Sequence, residues 1–207
     1  MSDRKATEDA PPRKSYPKGA ARRQQIIASA ITEFAERGVD GTSLRTLGDA
    51  IGVSHATLRH YFASRDELLV EVYRAHEQQR SVDAPATGTA VESIAASAKR
   101  NRDIPGLVRL YATLTTDALQ EDHPSSAAFI RDRFAEVRES LAARIREGQN
   151  AGQIAEDIDP FDAAALVIAA SDGLQVQWLL APDTVDVYRS LALLERILPG
   201  APTKPEE

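Results

Sequence analysis

The amino-acid sequence predicts an all-α fold of about nine helices, with an N-terminal three-helix helix-turn-helix domain followed by a C-terminal helical bundle. Three observations predict this class. Apolar residues recur at spacings of three and four, as on the buried face of a helix. Capping residues and glycines stand where helices of ordinary length would begin and end. No segment sustains the alternation of apolar and polar residues that indicates a half-buried strand.

The first four helices are predicted from one apolar stripe and from the serines that precede helix starts. The stripe belongs to a helix that begins at Ala20 and ends at Gly38, and it comprises Ile26, Ile27, Ala30, Ile31 and Phe34. The next three helices begin after Ser43, Ser54 and Ser64. Glu67 lies three residues after the last of these serines and completes a capping box, from which the fourth helix extends toward Arg80.

Five further helices are predicted after a break rich in Pro, Gly and Thr at residues 81–90. The first of them begins at a second capping box, formed by Thr89 and Glu92. Asp159 followed by Pro160 opens another, because proline is favoured in the first turn after a capping aspartate. The predicted ranges are 89–100, 105–119, 125–150, 160–180 and 183–198.

These elements divide the chain into four parts. Residues 1–18 and 201–207 have little to bury, so we predict a disordered basic arm and a disordered tail. Residues 19–80 form the predicted helix-turn-helix domain, which includes the connecting helix 64–80. Residues 81–200 form the predicted second domain.

Composition narrows the class of protein. The 207 residues include no cysteine, which excludes disulfides, thiolate zinc sites and cysteine nucleophiles. The N-terminus has no apolar signal region and no apolar run approaches the roughly 20 residues of a membrane span, so we expect a cytoplasmic protein. Residues 1–62 hold ten Lys/Arg against seven Asp/Glu, whereas the remainder holds fifteen against twenty-four. The basic end is therefore the part suited to an anionic partner.

The stretch GVSHATLRHYF, residues 52–62, is the most informative part of the sequence. Two short helices joined by IGVS form a tight turn, in which Gly52 supplies the unusual backbone angle. The apolar residues of this region can pack together: Phe34, Leu47, Ile51, Val53, Leu58 and Phe62. The residues left on the outside are His55, Ala56, Thr57, Arg59, His60 and Tyr61.

A helix placed in this way can enter a DNA major groove with its first residues. The side chains suited to phosphates or base edges are Arg45, Thr57, Arg59 and Tyr61. Three alternatives compete with this interpretation. Ser54 and His55 are adjacent and so do not face each other on a helix, which disfavours a catalytic pair. His55 and His60 are five residues apart, which disfavours a shared metal ion. The third alternative is a solvated polar face.

Residues 22–75 resemble the DNA-binding domain of the TetR family of bacterial transcriptional regulators. The stretch that carries the resemblance is IIASAITEFAERGVDGTSLRTLGDAIGVSHATLRHYFASRDELL. The residues that follow the family pattern are Phe34, Gly38, Thr42, Ser43, Leu47, Ala50, Gly52, Val53, Ser54, Thr57, Leu58, Tyr61, Phe62, Ser64, Glu67 and Leu68.

The resemblance implies which residues meet the DNA site, or operator. With the capping Ser54, these are Arg45, His55, Ala56, Thr57, Arg59, His60, Tyr61 and Arg65. Arg59 departs from the family pattern, because the family usually has tyrosine at this position. The arginine retains a phosphate donor and changes the base or phosphate contact that the position can make.

The resemblance also implies a homodimer and an effector cavity in the second domain, residues 81–200. Dimerisation is expected through helices 161–180 and 183–198. The first of these is apolar on nearly all sides, so most of its surface must be covered. Residues expected around a cavity for a small-molecule effector are Arg109, Tyr111, Thr115, Phe129, Phe134, Gln175 and Trp178.

The sequence therefore predicts a homodimeric transcriptional regulator that binds double-stranded DNA, most often a repressor in this family, and that responds to a small molecule. We expect no catalytic residues, metal site or cofactor. A helical adaptor that binds a protein partner and an all-helical enzyme are the alternatives.

Overall fold

The computed structural model describes residues 17–37, 43–80, 88–104 and 106–197. These ranges contain helices and turns, which confirms the all-α class. The helices are α1 (Pro17–Arg37), α2 (Leu44–Ala50), α3 (His55–Tyr61), α4 (Arg65–Arg80), α5 (Ala90–Arg102), α6 (Leu107–Asp117), α7 (Pro124–Asn150), α8 (Pro160–Leu180), α9 (Val187–Leu191) and α10 (Leu194–Ile197).

The predicted caps of α2, α3, α5 and α8 are confirmed, but the C-terminal end differs from the prediction. A single helix over 183–198 was expected, and the described part of that range holds α9 and α10. The backbone N–H groups of Thr184 and Val185 both donate to the Ala181 carbonyl at 3.1 Å, which turns the chain after α8. The helix therefore starts later, where Asp186 accepts from the Arg189 N–H at 2.9 Å.

Other predictions concern residues outside the described ranges. These are Gly38 as a helix cap, residues 1–16 of the basic arm, most of the break at 81–90, and the tail. Helix α1 begins at Pro17, three residues before the predicted start, with its proline at the first position. Proline is tolerated there because its missing N–H would have no partner within the helix.

One hydrophobic cluster joins the first four helices to the start of the second predicted domain. Leu107, Leu110 and Leu114 of α6 and Phe129 and Ile130 of α7 pack in the same cluster as α1–α4. The predicted division at residue 80 is therefore bridged by core packing. The second cluster lies farther from α3 and comprises apolar residues of α5, α7, α8 and α9.

A buried carboxylate also connects the two parts. Asp66, in the first turn of α4, is 2% exposed. It accepts hydrogen bonds from the backbone N–H groups of Ser125 at 2.8 Å and Ser126 at 3.1 Å, and from the Ser126 hydroxyl. Asp66 thus caps the N-terminus of α7 from another helix, which fixes α7 against the helix-turn-helix region.

Helix α8 exposes an apolar stripe. Its residues are three or four positions apart, except for the adjacent Ala165 and Leu166: Phe161, Ala165, Leu166, Ala169, Gly173, Val176 and Leu180. The helix has 21 residues, a mean hydropathy of 1.4 over its most apolar window, and 33% of that window buried. By length and composition alone it could span a membrane, although no run of that length was expected. Its opposite side packs on α5 and α7.

Candidate functional site

Two serine caps and one glycine turn set the relative position of α2 and α3. Ser43 and Ser54 each accept a hydrogen bond at 3.1 Å from a backbone N–H three residues later. Between the helices, Gly52 has φ +68°, a left-handed conformation that side chains disfavour. The Val53 N–H then donates to the Gly48 carbonyl at 2.8 Å, which closes the turn.

The inner side of α3 is held by the core. Leu58 and Phe62 are completely buried, and the Arg23 guanidinium of α1 lies 5.0 Å from the centre of the Phe62 ring. Arg23 also pairs with Glu71 of α4 at 2.8 Å. Helix α3 is therefore fixed against both α1 and α4, so the residues on its other side have defined positions.

That other side is the α3 face, which we define as Arg45, Ser54, His55, Ala56, Thr57, Arg59, His60 and Tyr61. Six of these residues are exposed, and Thr57 and Tyr61 are partly exposed. The Thr57 hydroxyl lies 2.8 Å from that of Ser54, and the His60 and Tyr61 rings meet edge to face at 5.0 Å. The face carries two arginines and two histidines and no carboxylate, so it suits phosphates and base edges.

Arg65 differs from the other predicted DNA contacts. Its guanidinium lies 3.5 Å from the Asp117 carboxylate at the end of α6, and its side chain is 26% exposed. Arg65 would have to exchange this pairing for a phosphate before it could contact DNA.

A small cavity lies between α4, α5, α6, α7 and α8. Its volume is about 40 Å³, and three of the seven predicted effector residues line it: Tyr111, Phe134 and Gln175. The structure places the other four elsewhere. Arg109 is exposed on α6, and the Thr115 hydroxyl donates to the Tyr111 carbonyl at 3.0 Å. Phe129 is buried against the Tyr73 ring, and Trp178 packs on the second cluster.

Three charged residues near this cavity were missed at the sequence level. Arg133 of α7 pairs with Glu77 of α4, and its guanidinium lies 5.3 Å from the centre of the Tyr73 ring and 5.2 Å from that of Tyr111. Asp172 of α8 accepts a long hydrogen bond, 3.4 Å, from the Tyr111 hydroxyl. No motif links these residues, since each belongs to a different helix. The one available signal was Asp172 itself, a carboxylate in the middle of the apolar stretch 163–180.

Burial dominates the electrostatics of this cluster. It raises the pKa of Asp172 to about 6, and the nearby Arg133 charge and the Tyr111 hydroxyl oppose that shift. Burial and then the Asp172 charge raise the pKa of Tyr111 to about 12. Burial also raises the pKa of Glu77, against the opposing effect of Arg133. The carboxylates are thus incompletely compensated by the protein.

Replacing Asp172 with asparagine is expected to make stability less dependent on pH. In the wild type the folded protein binds a proton more tightly than the unfolded chain, so the free energy of unfolding falls as pH rises from about 4 to 6. Above that window the charged carboxylate destabilises the fold by roughly 2–3 kcal/mol. Urea unfolding at pH 4.5 and 7.5 measures this difference, with the exposed Asp183→Asn as the control. Equal pH dependence in Asp172→Asn and wild type would contradict the expectation.

A larger groove of about 570 Å³ lies at the far end of α5. It is lined by the N-terminus of that helix, the C-terminal end of α7 and Glu195. The groove lacks an aromatic or histidine side chain and adjoins the limits of the described ranges, so we consider the smaller cavity the better candidate for an effector.

Two sequence profiles match the chain. The profile for bacterial regulatory proteins of the tetR family matches residues 26–72, which contain the α3 face and its core. The profile for the C-terminal part of the BetI-type transcriptional repressor matches residues 115–201. Together they cover more than half of the chain.

Relatives and solved structures agree with the profiles. The HTH-type transcriptional repressor AcnR of Corynebacterium jeikeium is 26% identical over 68% of this chain and 72% of its own. The probable acrEF/envCD operon repressor of Escherichia coli is 23% identical over 85% and 84%.

The fold is similar to that of a TetR-family regulator from Cytophaga hutchinsonii (TM-score 0.71, 19% identity, 89% of this chain and 96% of that one). It is also similar to that of a regulator from Saccharomonospora viridis in complex with choline (TM-score 0.66, 22% identity, 86% and 95%). The matched profiles, the helix-turn-helix geometry and this fold lead to one conclusion. The chain belongs to the TetR family of bacterial transcriptional regulators.

Proposed function

We propose that this DNA-binding regulator is a homodimeric repressor that a small-molecule effector releases from its operator. The observation that carries the proposal is the α3 face, a rigidly held set of donors without a carboxylate on the outer side of a helix-turn-helix. In the dimer, two copies of this face would enter successive major grooves about one helical turn apart on a near-palindromic operator.

The exposed stripe of α8 supports the homodimer. Leu166 is 54% exposed and Leu180 is 81% exposed, and Tyr188 of α9 and Leu193 before α10 add apolar surface nearby in sequence. The small residues of the stripe, Ala165, Ala169 and Gly173, recur every four positions, so a second helix can approach closely. A two-fold dimer buries the same surface on both copies, which would cover an apolar stripe of this length.

The cavity beside Tyr111 is the candidate effector site, and its volume of about 40 Å³ means that it must open before an organic molecule can enter. It combines aromatic and apolar walls with a few polar groups, as ligand sites do, and it is bordered by helices of both predicted domains. The related regulator from Saccharomonospora viridis was solved with choline, and the multidrug binding protein EbrR with imidazole. An effector that binds more tightly to the DNA-free form must weaken the binding of the operator. The operator must weaken the binding of the effector by the same factor.

Replacing Arg59 with alanine is expected to weaken operator binding by about 1–3 kcal/mol, a roughly 5- to 150-fold rise in the dissociation constant. Arg59 is exposed at the centre of the α3 face, where a guanidinium can reach a guanine edge or a phosphate. The measurement is fluorescence anisotropy with a DNA fragment from upstream of the protein's own gene, compared with a random fragment.

Arg138→Ala removes an exposed arginine of α7 and serves as the control. If affinity falls only for the operator fragment, Arg59 contacts a base. If affinity falls equally for both fragments, Arg59 contacts a phosphate. Unchanged affinity for both would contradict the assignment. Wild-type protein that ignores both fragments at low salt would overturn the proposed function.

A further inference from the structure

The candidate effector cavity is lined by a partly buried cation, Arg133. The Tyr73 and Tyr111 rings lie 5.4 Å apart between their centres, and the Arg133 guanidinium lies over both of them. Aromatic faces attract cations because of their negative quadrupole, and the attraction grows when water is excluded. These two rings, contributed by α4 and α6, therefore form a cation site that a side chain of α7 already occupies.

The charges around this site favour a cationic ligand. Arg133 contributes one positive charge, and the Glu77 and Asp172 carboxylates contribute two negative charges when ionised. Glu77 is paired with Arg133, whereas Asp172 accepts a long hydrogen bond from Tyr111. A neutral or anionic ligand in the place of Arg133 would leave both carboxylates without a cation. A monocation in that place preserves the charge that Arg133 supplies.

The size of the cavity decides how such a ligand could enter. A volume of about 40 Å³ holds one or two water molecules and no organic molecule of effector size. A ligand must therefore move a side chain, and Arg133 lies where a cation is best stabilised.

We propose that a small organic monocation binds this cavity by displacing Arg133 from the faces of Tyr73 and Tyr111, with Asp172 as its counter-charge. Displacement breaks the Arg133–Glu77 pair, which joins α7 to α4. Helix α4 begins directly after the α3 face and carries Asp66, the cap of α7. Loss of the pair therefore removes one of the contacts that hold α4, the helix next to the DNA-binding surface, against α7. This inference rests on the proposed function and adds the ligand class and the residue that responds to it.

The test uses tetramethylammonium chloride as the cation and neopentyl alcohol as an uncharged molecule of similar shape, with the full chain at pH 7.5. Isothermal titration calorimetry without DNA measures binding to the cavity, and sodium chloride at equal concentration controls for ionic strength. We expect tetramethylammonium to bind at millimolar concentration or better, and neopentyl alcohol to bind at least tenfold more weakly. Equal binding of the two molecules, or no binding of the cation at 50 mM, would overturn the inference.

Two variants separate the roles of the charged residues. Asp172→Asn preserves side-chain shape and is expected to weaken tetramethylammonium binding at least tenfold, with Asp183→Asn as the unchanged control. Arg133→Met vacates the aromatic faces and is expected to strengthen cation binding at least fivefold while weakening operator binding without ligand. Wild-type cation affinity in both variants would contradict the displacement of Arg133.

Operator anisotropy supplies the second readout. Tetramethylammonium should raise the operator dissociation constant at least fivefold beyond the effect of equal sodium chloride. If the protein binds its operator and the cation leaves that binding unchanged, the inference fails and the proposed function stands. If no DNA is bound but calorimetry detects the Asp172-dependent cation site, the proposed function fails and the cation site stands.

Discussion

Replacing Leu166 with glutamate is expected to convert the proposed dimer into monomers and to raise the operator dissociation constant at least 100-fold. Leu166 lies within the α8 stripe and is 54% exposed in the single chain, so the substitution removes little from the core of one protomer. In a two-fold dimer the stripe packs on its own copy, and two buried carboxylates would face that interface without partners. Each protomer should remain folded, and the dimer should dissociate.

The loss of DNA affinity follows from the loss of the dimer. One half-site gives only the contacts of a single α3 face, whereas the second half-site of a dimer binds at high effective concentration, which can add a factor of 10²–10⁴. Sedimentation velocity at about 10 μM protein gives the mass of the assembly. Fluorescence anisotropy gives its affinity for the operator. Circular dichroism should show unchanged helicity.

Leu119→Glu is the matched control for this experiment. Leu119 is 83% exposed in the turn between α6 and α7. It is an exposed leucine like Leu166, but it lies outside the α8 stripe. This variant should remain dimeric with wild-type operator affinity. A dimeric Leu166→Glu protein would show that another surface holds the protomers together, and a wild-type protein that sediments as a monomer would remove the interface altogether.

The first four helices were predictable because their signals are local. A serine cap such as Ser54, a left-handed Gly52 and the apolar stripe of α1 each act within a few residues along the chain. The end of the chain was less predictable for the same reason. Asp183 and Asp186 are both acceptable helix caps, and the choice between them depends on how the turn after α8 bonds to the Ala181 carbonyl.

The candidate effector cavity was only partly predictable, because its chemistry comes from pairs that are distant in sequence. Arg133 and Glu77 are 56 positions apart, and Tyr111 and Asp172 are 61 apart. An arginine or aspartate within a helix gives no local sign of its partner, and most such residues face solvent. Aromatic residues such as Tyr111 and Phe134 were found because large apolar side chains must lie inside wherever the helices pack.

The second large effect is expected from Gly48→Ala. Gly48 is a buried residue of α2, and a Cβ added there would lie well under 3.0 Å from the Val53 carbonyl oxygen and 3.2 Å from Cδ1 of Leu58. Because the closer of these atoms belongs to the backbone, it cannot move aside as a flexible side chain would. The turn between α2 and α3 must open, which also strains the Val53–Gly48 hydrogen bond. We expect a destabilisation of about 2–4 kcal/mol.

Gly48→Ala should affect DNA binding more than assembly, since it moves α3 and leaves the α8 stripe intact. We expect operator affinity to fall at least tenfold, the midpoint of urea unfolding to fall, and sedimentation to show an unchanged dimer. Gly19→Ala is the control, because a Cβ at that position of α1 meets nothing within 4 Å. Alanine has a higher helix propensity than glycine, so this control should have wild-type or slightly higher stability. Wild-type stability and affinity in Gly48→Ala would mean that the close approach of α2 to Val53 does not set the position of the α3 face.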